Sequence, residues 1–258
     1  DEACLSLKIY LGHIKYLSNK CDYILIPRIE SLKKNEKTCT NMLALYDIVN
    51  NIFNVGILDY NIDVNHNYDE LYAFVTIAKQ LNIKRMDAIK AYKYAKEEVK
   101  QIEEGKAIKQ ESLIKTQKLK ILLAGHSYNL HDELIGKSVS KHLQNNDINV
   151  LYSDINNKKI NNIYSKNNII SKEIYWTYNK EIFSSISYYL DKVDGIILLS
   201  TFPCGPDSLC NEITIRKIKN KPIITVIVDE LNNDSGLLTR LESFIEILKE
   251  KKELDKIE

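Results

Sequence analysis

The sequence predicts an α/β protein with parallel, doubly wound sheet. Three observations carry this. Short apolar runs alternate with helix-period segments across residues 118–258. Those runs are apolar throughout rather than on alternate residues, as strands covered on both faces are. A pair of helix-period segments without proline fills residues 67–117.

Ala3 to Asn19 opens the chain with Leu5, Ile9, Leu11, Ile14 and Leu17 near helical spacing. Cys21 to Pro27 is a compact apolar run closed by proline and predicts a buried strand. Arg28 to Thr40 is polar and predicts a loop carrying Cys39, and Met42 to Phe53 returns to helical spacing. Tyr68 to Gln80 and Arg85 to Glu104 predict two helices, the second capped by Asp87 and stopped by Gly105.

Lys118 to Gly125 predicts a strand running into a glycine, Leu134 to Leu143 a helix, and Ile148 to Tyr152 a strand. Glu181 to Leu190 (helix), Gly195 to Ser200 (strand), Asp207 to Lys217 (helix), Pro222 to Asp229 (strand) and Leu237 to Lys251 (helix) follow. The expected organisation is a partial N-terminal α/β lobe over 1–66, a helical connector over 67–117 and a doubly wound lobe over 118–258. In doubly wound sheets ligands sit beyond the carboxyl ends of the strands. That rule singles out Gly125 to His131, Thr201 to Ser208 and Asp229 to Gly236.

Composition narrows the function classes. The 258 residues carry a net charge of +1, with no basic stripe of the kind a nucleic-acid binder shows. The longest apolar run, Ile223 to Val228, is far short of a membrane span. No signal peptide is present, and five cysteines in a chain of this size predict a reduced, cytoplasmic protein. The chain begins without methionine, so the expectation is a piece of a longer protein.

Metal or redox duty then competes with burial for Cys4, Cys21, Cys39, Cys204 and Cys210. Thr201-Phe-Pro-Cys-Gly-Pro-Asp-Ser208 follows a buried strand and opens a helix. Cys204 would meet free amides and the positive end of the helix dipole, which favour a thiolate. Gly205 leaves room for a bulky ligand, and Asp207 or Ser208 can cap. A turn with a buried thiol is the competing reading. Cys4 and Cys39 each stand at a helix start, and three dispersed thiolates suit either zinc or an iron–sulfur cluster. Cys21 and Cys210 read as structural. His126, Tyr128 and Asn129 follow a strand and can line a pocket; a capped surface turn is the alternative. Lys8 and His13 share one helix.

These stretches resemble a known family. Asp1-Glu-Ala-Cys-Leu-Ser-Leu-Lys-Ile-Tyr-Leu-Gly-His13 is similar to the D-x-x-C-x-x-x-K-x-x-x-G-H signature of proteins related to acyl-CoA dehydratase activases. Asp22 to Arg28 with Cys39, Gly125 to Asn129, Phe202 to Ser208, and Asp229-Glu230 with Asp234 to Gly236 and Thr239-Arg240 are similar to its later blocks. The resemblance implies two flavodoxin-like (Rossmann-like) lobes with parallel sheets, joined by a helical segment. It implies an iron–sulfur cluster, [4Fe-4S] or double-cubane, held by Cys4, Cys39 and Cys204. Gly205, Asp207 and Arg240 would flank that cofactor, and Lys8, His13, Tyr128 and Asn129 would serve catalysis. Its electrons would come from a separate ATP-dependent activase and pass to an acyl-CoA or other small molecule, as in 2-hydroxyacyl-CoA dehydratases and related reductases. A cluster-carrying scaffold, or a zinc-bound or metal-free domain, are the alternatives, and a homodimer stays open. Two departures stand out: Leu231 occupies a position where relatives carry histidine, and the strand–helix unit that precedes the first cysteine in relatives is not among these residues; nor is the ATP-binding module, so the expectation is that this chain does not hydrolyse ATP itself.

Overall fold

The computed structural model describes residues 3–155, 157–165, 174–230 and 234–254. Asp1, Glu2 and Leu231, which figure in the sequence blocks, lie outside the described residues. The chain divides into two compact units, one of residues 1–6, 103–174 and 179–258, the other of residues 7–102 and 175–178. Both are α/β with parallel sheet, as the alternation predicted.

In the second unit, helix α1 (Leu5–Leu17) precedes β1 (Tyr23–Ser31), α2 (Thr40–Ile52) and β2 (Gly56–Asp63). β1 and β2 pair in parallel from Tyr23↔Gly56 to Ile29↔Ile62, so β1–α2–β2 is a crossover unit. β1 runs four residues past Pro27, where a loop was expected. Proline is tolerated because β1 pairs on one side only, leaving an edge where a missing N–H costs nothing. β2 had no strand signal of its own, since Asp59, Asn61 and Asp63 interrupt its apolar residues.

Helix α3 (Glu70–Gln80) is capped by Asp69, whose carboxylate accepts the Tyr72 amide at 2.8 Å. Phe74 links it to β2 through an edge-on contact with Tyr60, and to α4 (Arg85–Ile114) through Tyr92. Asp87 sits in the first turn of α4. The helix continues through Gly105 and past the expected stop, because the flanking Glu103, Glu104, Lys106 and Ala107 are good helix formers.

The first unit holds β3 (Lys120–Ala124), α5 (Ser127–Leu130), α6 (Gly136–Asn145), β4 (Asn149–Tyr152), α7 (Lys158–Ser165), α8 (Thr177–Tyr189), β5 (Gly195–Thr201), α9 (Gly205–Lys217), β6 (Ile223–Val228) and α10 (Asp234–Leu254). Its strands lie in the order β4-β3-β5-β6, all parallel. All seven residues of β5 are buried, which is why that stretch reads as an unbroken apolar run. α10 closes over its start: a Cβ on Gly195 would lie 2.8 Å from Leu248 Cδ1 and 2.9 Å from Phe244 Cζ. Ile121, Leu122, Leu123, Ile196 and Ile197 form the centre of the core. No described helix is long and apolar enough to cross a membrane.

One buried carboxylate fastens the end of β2. Asp63 Oδ1 accepts Ser31 Oγ at 2.7 Å and the Asn65 amide at 3.1 Å, while Oδ2 meets His66 Nδ1. Burial opposes the charge on Asp63, but the bonds from Ser31 and His66 outweigh it and hold its carboxyl below the usual range. The same bond, with the negative charge behind it, raises His66. Protonated His66 is therefore favoured by folding. That contribution is complete below the ordinary histidine value of about 6.5 and lost as pH rises through the raised one.

Two predictions follow from these elements. Gly105→Ala, with nothing within 4 Å of the added methyl, should raise stability by about 0.5–1 kcal/mol in urea unfolding. In an NMR titration of the Asp63→Asn variant, His66 should titrate at lower pH than in the parent chain. An unmoved His66 would show that Asp63 does not hold it.

Candidate functional site

The strand order β4-β3-β5-β6 fixes where a ligand crevice opens. From β3 the chain crosses to β4 on one side, and later returns to β5 on the other. The switch point therefore lies between the carboxyl ends of β3 and β5. The segments leaving those ends are Gly125 to His131 and Phe202 to Ser208, the two stretches the sequence singled out.

β5 ends in Ser200 and Thr201, two buried polar residues. Thr201 Oγ1 lies 2.9 Å from Ser6 Oγ, and Ser6 Oγ donates to Asn129 Oδ1 at 2.7 Å. The Leu5 amide donates to the Phe202 carbonyl at 3.0 Å. These bonds seat Leu5 and Ser6 on the end of β5 and carry Cys4 with them.

Cys204 is the N-cap residue of α9, with extended backbone, and Pro206 stands in the first turn. Neither Asp207 nor Ser208 caps the helix. Ser208 Oγ donates to the Cys204 carbonyl at 2.7 Å, and Asp207 turns inward. Asp207 Oδ1 takes His126 Nε2 at 2.8 Å and Asn179 Nδ2 at 2.9 Å. All three residues are buried, Asp207 to 4% exposure. Burial disfavours the Asp207 charge, but His126, Asn179 and the Cys204 thiol outweigh it and keep the carboxyl below its usual range.

The loop after β3 is closely packed. Its four-residue helix α5 buries Asn129 and Leu130. The first residue of α6, Gly136, abuts it so closely that a Cβ would sit 2.5 Å from the Asn129 carbonyl oxygen. Tyr128 stays 42% exposed and stacks on His126, with centroids 5.1 Å apart and planes 10° from parallel.

The electrostatics of Cys204 differ from the sequence expectation. The Asp207 amide does favour a thiolate, as a helix N-terminus should. Burial first, and the Asp207 carboxylate second, outweigh it and push the thiol well up. Cys4 lies near enough to raise it further. Cys4 and Cys204 thus both stand near the carboxyl end of β5. They fit as part of the donor set of a zinc or iron–sulfur centre. Among the described residues, no three His, Cys, Asp or Glu side chains form a metal-holding group.

Of the residues predicted from sequence, Cys4, Tyr128, Asn129, Cys204, Gly205 and Asp207 belong to this one unit. Gly205 has no neighbour within 4 Å of an added Cβ, so space remains beside Cys204. Arg240 is exposed on α10 and donates to the Thr225 carbonyl of β6 at 2.7 Å, a bond that fixes helix to strand. Lys8, His13 and Cys39 belong to the other unit: Lys8 half-buried and His13 exposed on α1, Cys39 the N-cap residue of α2. Cys21 is exposed, its thiol bonded to the Leu17 carbonyl, and Cys210 is buried with its thiol pushed up to about 12 by burial. Sequence reasoning missed Ser6 and Asn179. Asn179 had one signal: with Thr177, Ser184 and Ser185 it forms a run of buried small polar residues on α8.

A family model described as a CoA enzyme activase uncharacterised domain matches residues 1–155, more than half of the chain. No curated protein and no solved structure matches it.

Asp207→Ala leaves the buried His126 and Asn179 donors without their acceptor. Urea unfolding should show a loss of about 1–3 kcal/mol, the range for leaving a buried hydrogen-bonding group unsatisfied. A loss under about 1 kcal/mol, the size of an ordinary surface pair, would remove Asp207 as the anchor of the site.

Proposed function

The chain belongs to the CoA enzyme activase uncharacterised domain family, and from that premise we propose that it is the iron–sulfur cluster-binding component of an ATP-dependent, low-potential electron-transfer system. Electrons would arrive from a separate ATP-hydrolysing activase and pass to an acyl-CoA or other small-molecule substrate. The observation that carries this reading is the placing of two cysteines at the carboxyl end of β5: Cys204 as the N-cap residue of α9, and Cys4 next to Leu5, whose amide bonds the Phe202 carbonyl.

The thiolate is the form that ligates iron. Burial and Asp207 hold Cys204 as a thiol, so ligation releases protons and strengthens with rising pH. The Asp207 amide at the start of α9 then supplies a hydrogen bond to the ligating sulfur, a contact of the kind that tunes a centre's potential. Cys39 joins the ligand set in this proposal on the strength of the sequence blocks alone. When bound, a cluster supplies one-electron chemistry. The protein's own part is to ligate through Cys4 and Cys204, to keep His126 and Asn179 bonded to Asp207, and to present Tyr128 beside them.

Anaerobic purification with iron and sulfide assays and EPR tests the proposal. The parent chain should carry iron and sulfide in similar amounts, and Cys204→Ser should lose both together with the EPR signal. Cys210→Ser, which alters a buried structural thiol, should keep them. Iron content unchanged in Cys204→Ser, or zinc in place of iron, would overturn the assignment. Reduction that proceeds equally well without activase and ATP would overturn the electron-transfer role.

A further inference from the structure

The unit of residues 7–102 holds a cavity of about 280 Å3 that the function proposed above does not use. Asp59 and Asn61 of β2 line it, with Tyr68, Tyr72, Ala73 and Thr76 opposite. Its one charged lining group is Asp59.

That carboxylate lacks what a buried anion needs. Asp59 is half-buried, and its Oδ1 is sealed from water with no hydrogen-bond donor against it among the described residues. The neighbouring donors are committed elsewhere. Thr76 Oγ1 donates to the Tyr72 carbonyl at 2.9 Å, the Tyr72 amide to Asp69 at 2.8 Å, and Arg28 Nη2 to Asp47 at 3.1 Å. Arg28 Nε is sealed without an acceptor as well, so Arg28 eases the charge on Asp59 from a distance and does not bond it. Burial raises the Asp59 carboxyl, Arg28 partly offsets this, and Asp47 adds to it. An anion left so costs free energy that a donor of opposite charge recovers.

The opposite wall suits a cation. Tyr68 and Tyr72 stand with ring centroids 4.9 Å apart and planes tilted by 49°, and they are 42% and 50% exposed. Two aromatic faces beside a carboxylate are the surroundings in which ammonium groups are held. The volume limits the guest, since drug-sized ligands fill roughly 300–1,000 Å3. A short alkylammonium fits within it.

We propose that this cavity binds a small primary ammonium compound, whose N–H groups donate to Oδ2 of Asp59, the oxygen that is not sealed, and whose charge lies against Tyr68 and Tyr72. The site belongs to a different unit from Cys4 and Cys204 and does not depend on what they bind. A neutral polyol would use the same acceptors, but it would leave the charge of Asp59 uncompensated.

NMR titration of the full chain with n-butylammonium chloride tests this, with n-butanol and glucose as neutral probes. Butylammonium should shift the resonances of residues 59–76 saturably, and neither neutral probe should. Asp59→Asn, which keeps the shape and removes the charge, should weaken binding at least tenfold. Tyr72→Ala should weaken it several-fold, and Tyr72→Phe should restore it. Absence of saturable shifts, equal binding of butanol or glucose, or undiminished binding by Asp59→Asn would each overturn the proposal. If Asp59→Asn fails to fold, the comparison of probes on the parent chain and the Tyr72 pair decide it.

Discussion

A carboxylate cannot sit at 4% exposure unless other groups replace the water it has lost. Asp207 meets that requirement by drawing on two distant parts of its unit, His126 from the loop after β3 and Asn179 from α8. One oxygen, Oδ1, takes both donors. The bonds therefore fasten the start of α9 to the end of β3, across the point where the sheet changes direction. Cys204 lies three residues before Asp207, and Asn129 three residues after His126, so each inherits its position from this anchor. The two strand ends are held together because they share an acceptor.

The sheet explains why the polar groups gather at this end. β5 is apolar for five residues and then turns to Ser200 and Thr201 while still buried. Buried hydroxyls need partners. Thr201 finds Ser6, Ser6 finds Asn129, and Ser200 lies 3.5 Å from the Asn211 amide on α9. Leu5 and Ser6 are thus tied to the strand end by hydrogen bonds. Cys4 is brought to that same end as a consequence of Ser6, two residues on.

The sequence made legible what depends on local spacing. The unbroken apolar runs of β3 and β5 announced strands covered on both faces, and the Cys-Gly-Pro turn announced a helix start after β5. Long-range polar matches were illegible. Ser6 and Thr201 are 195 residues apart, and nothing near either marks the other. Asp207 was legible as a polar residue at a helix start, and local rules then assign it a capping role. Only the buried donors across the sheet turn it inward. β2 was hidden because its polar residues line a cavity and its end makes a carboxylate anchor, both of which break an apolar pattern. Gly105 misled for a different reason. Glycine stops a helix when the chain takes a left-handed turn, and here no glycine has positive φ.

The charge around Cys204 also decides between two uses of a cysteine at a helix start. A nucleophilic cysteine needs its thiolate at neutral pH, which basic neighbours or an exposed helix end provide. Cys204 has the helix end, but the buried Asp207 carboxylate stands against it and Cys4 adds to the opposition. An anion-stabilising site would carry a cation in place of Asp207. Burial and the Asp207 carboxylate both act against the charged form of Cys204, so this helix start does not ready its cysteine for attack.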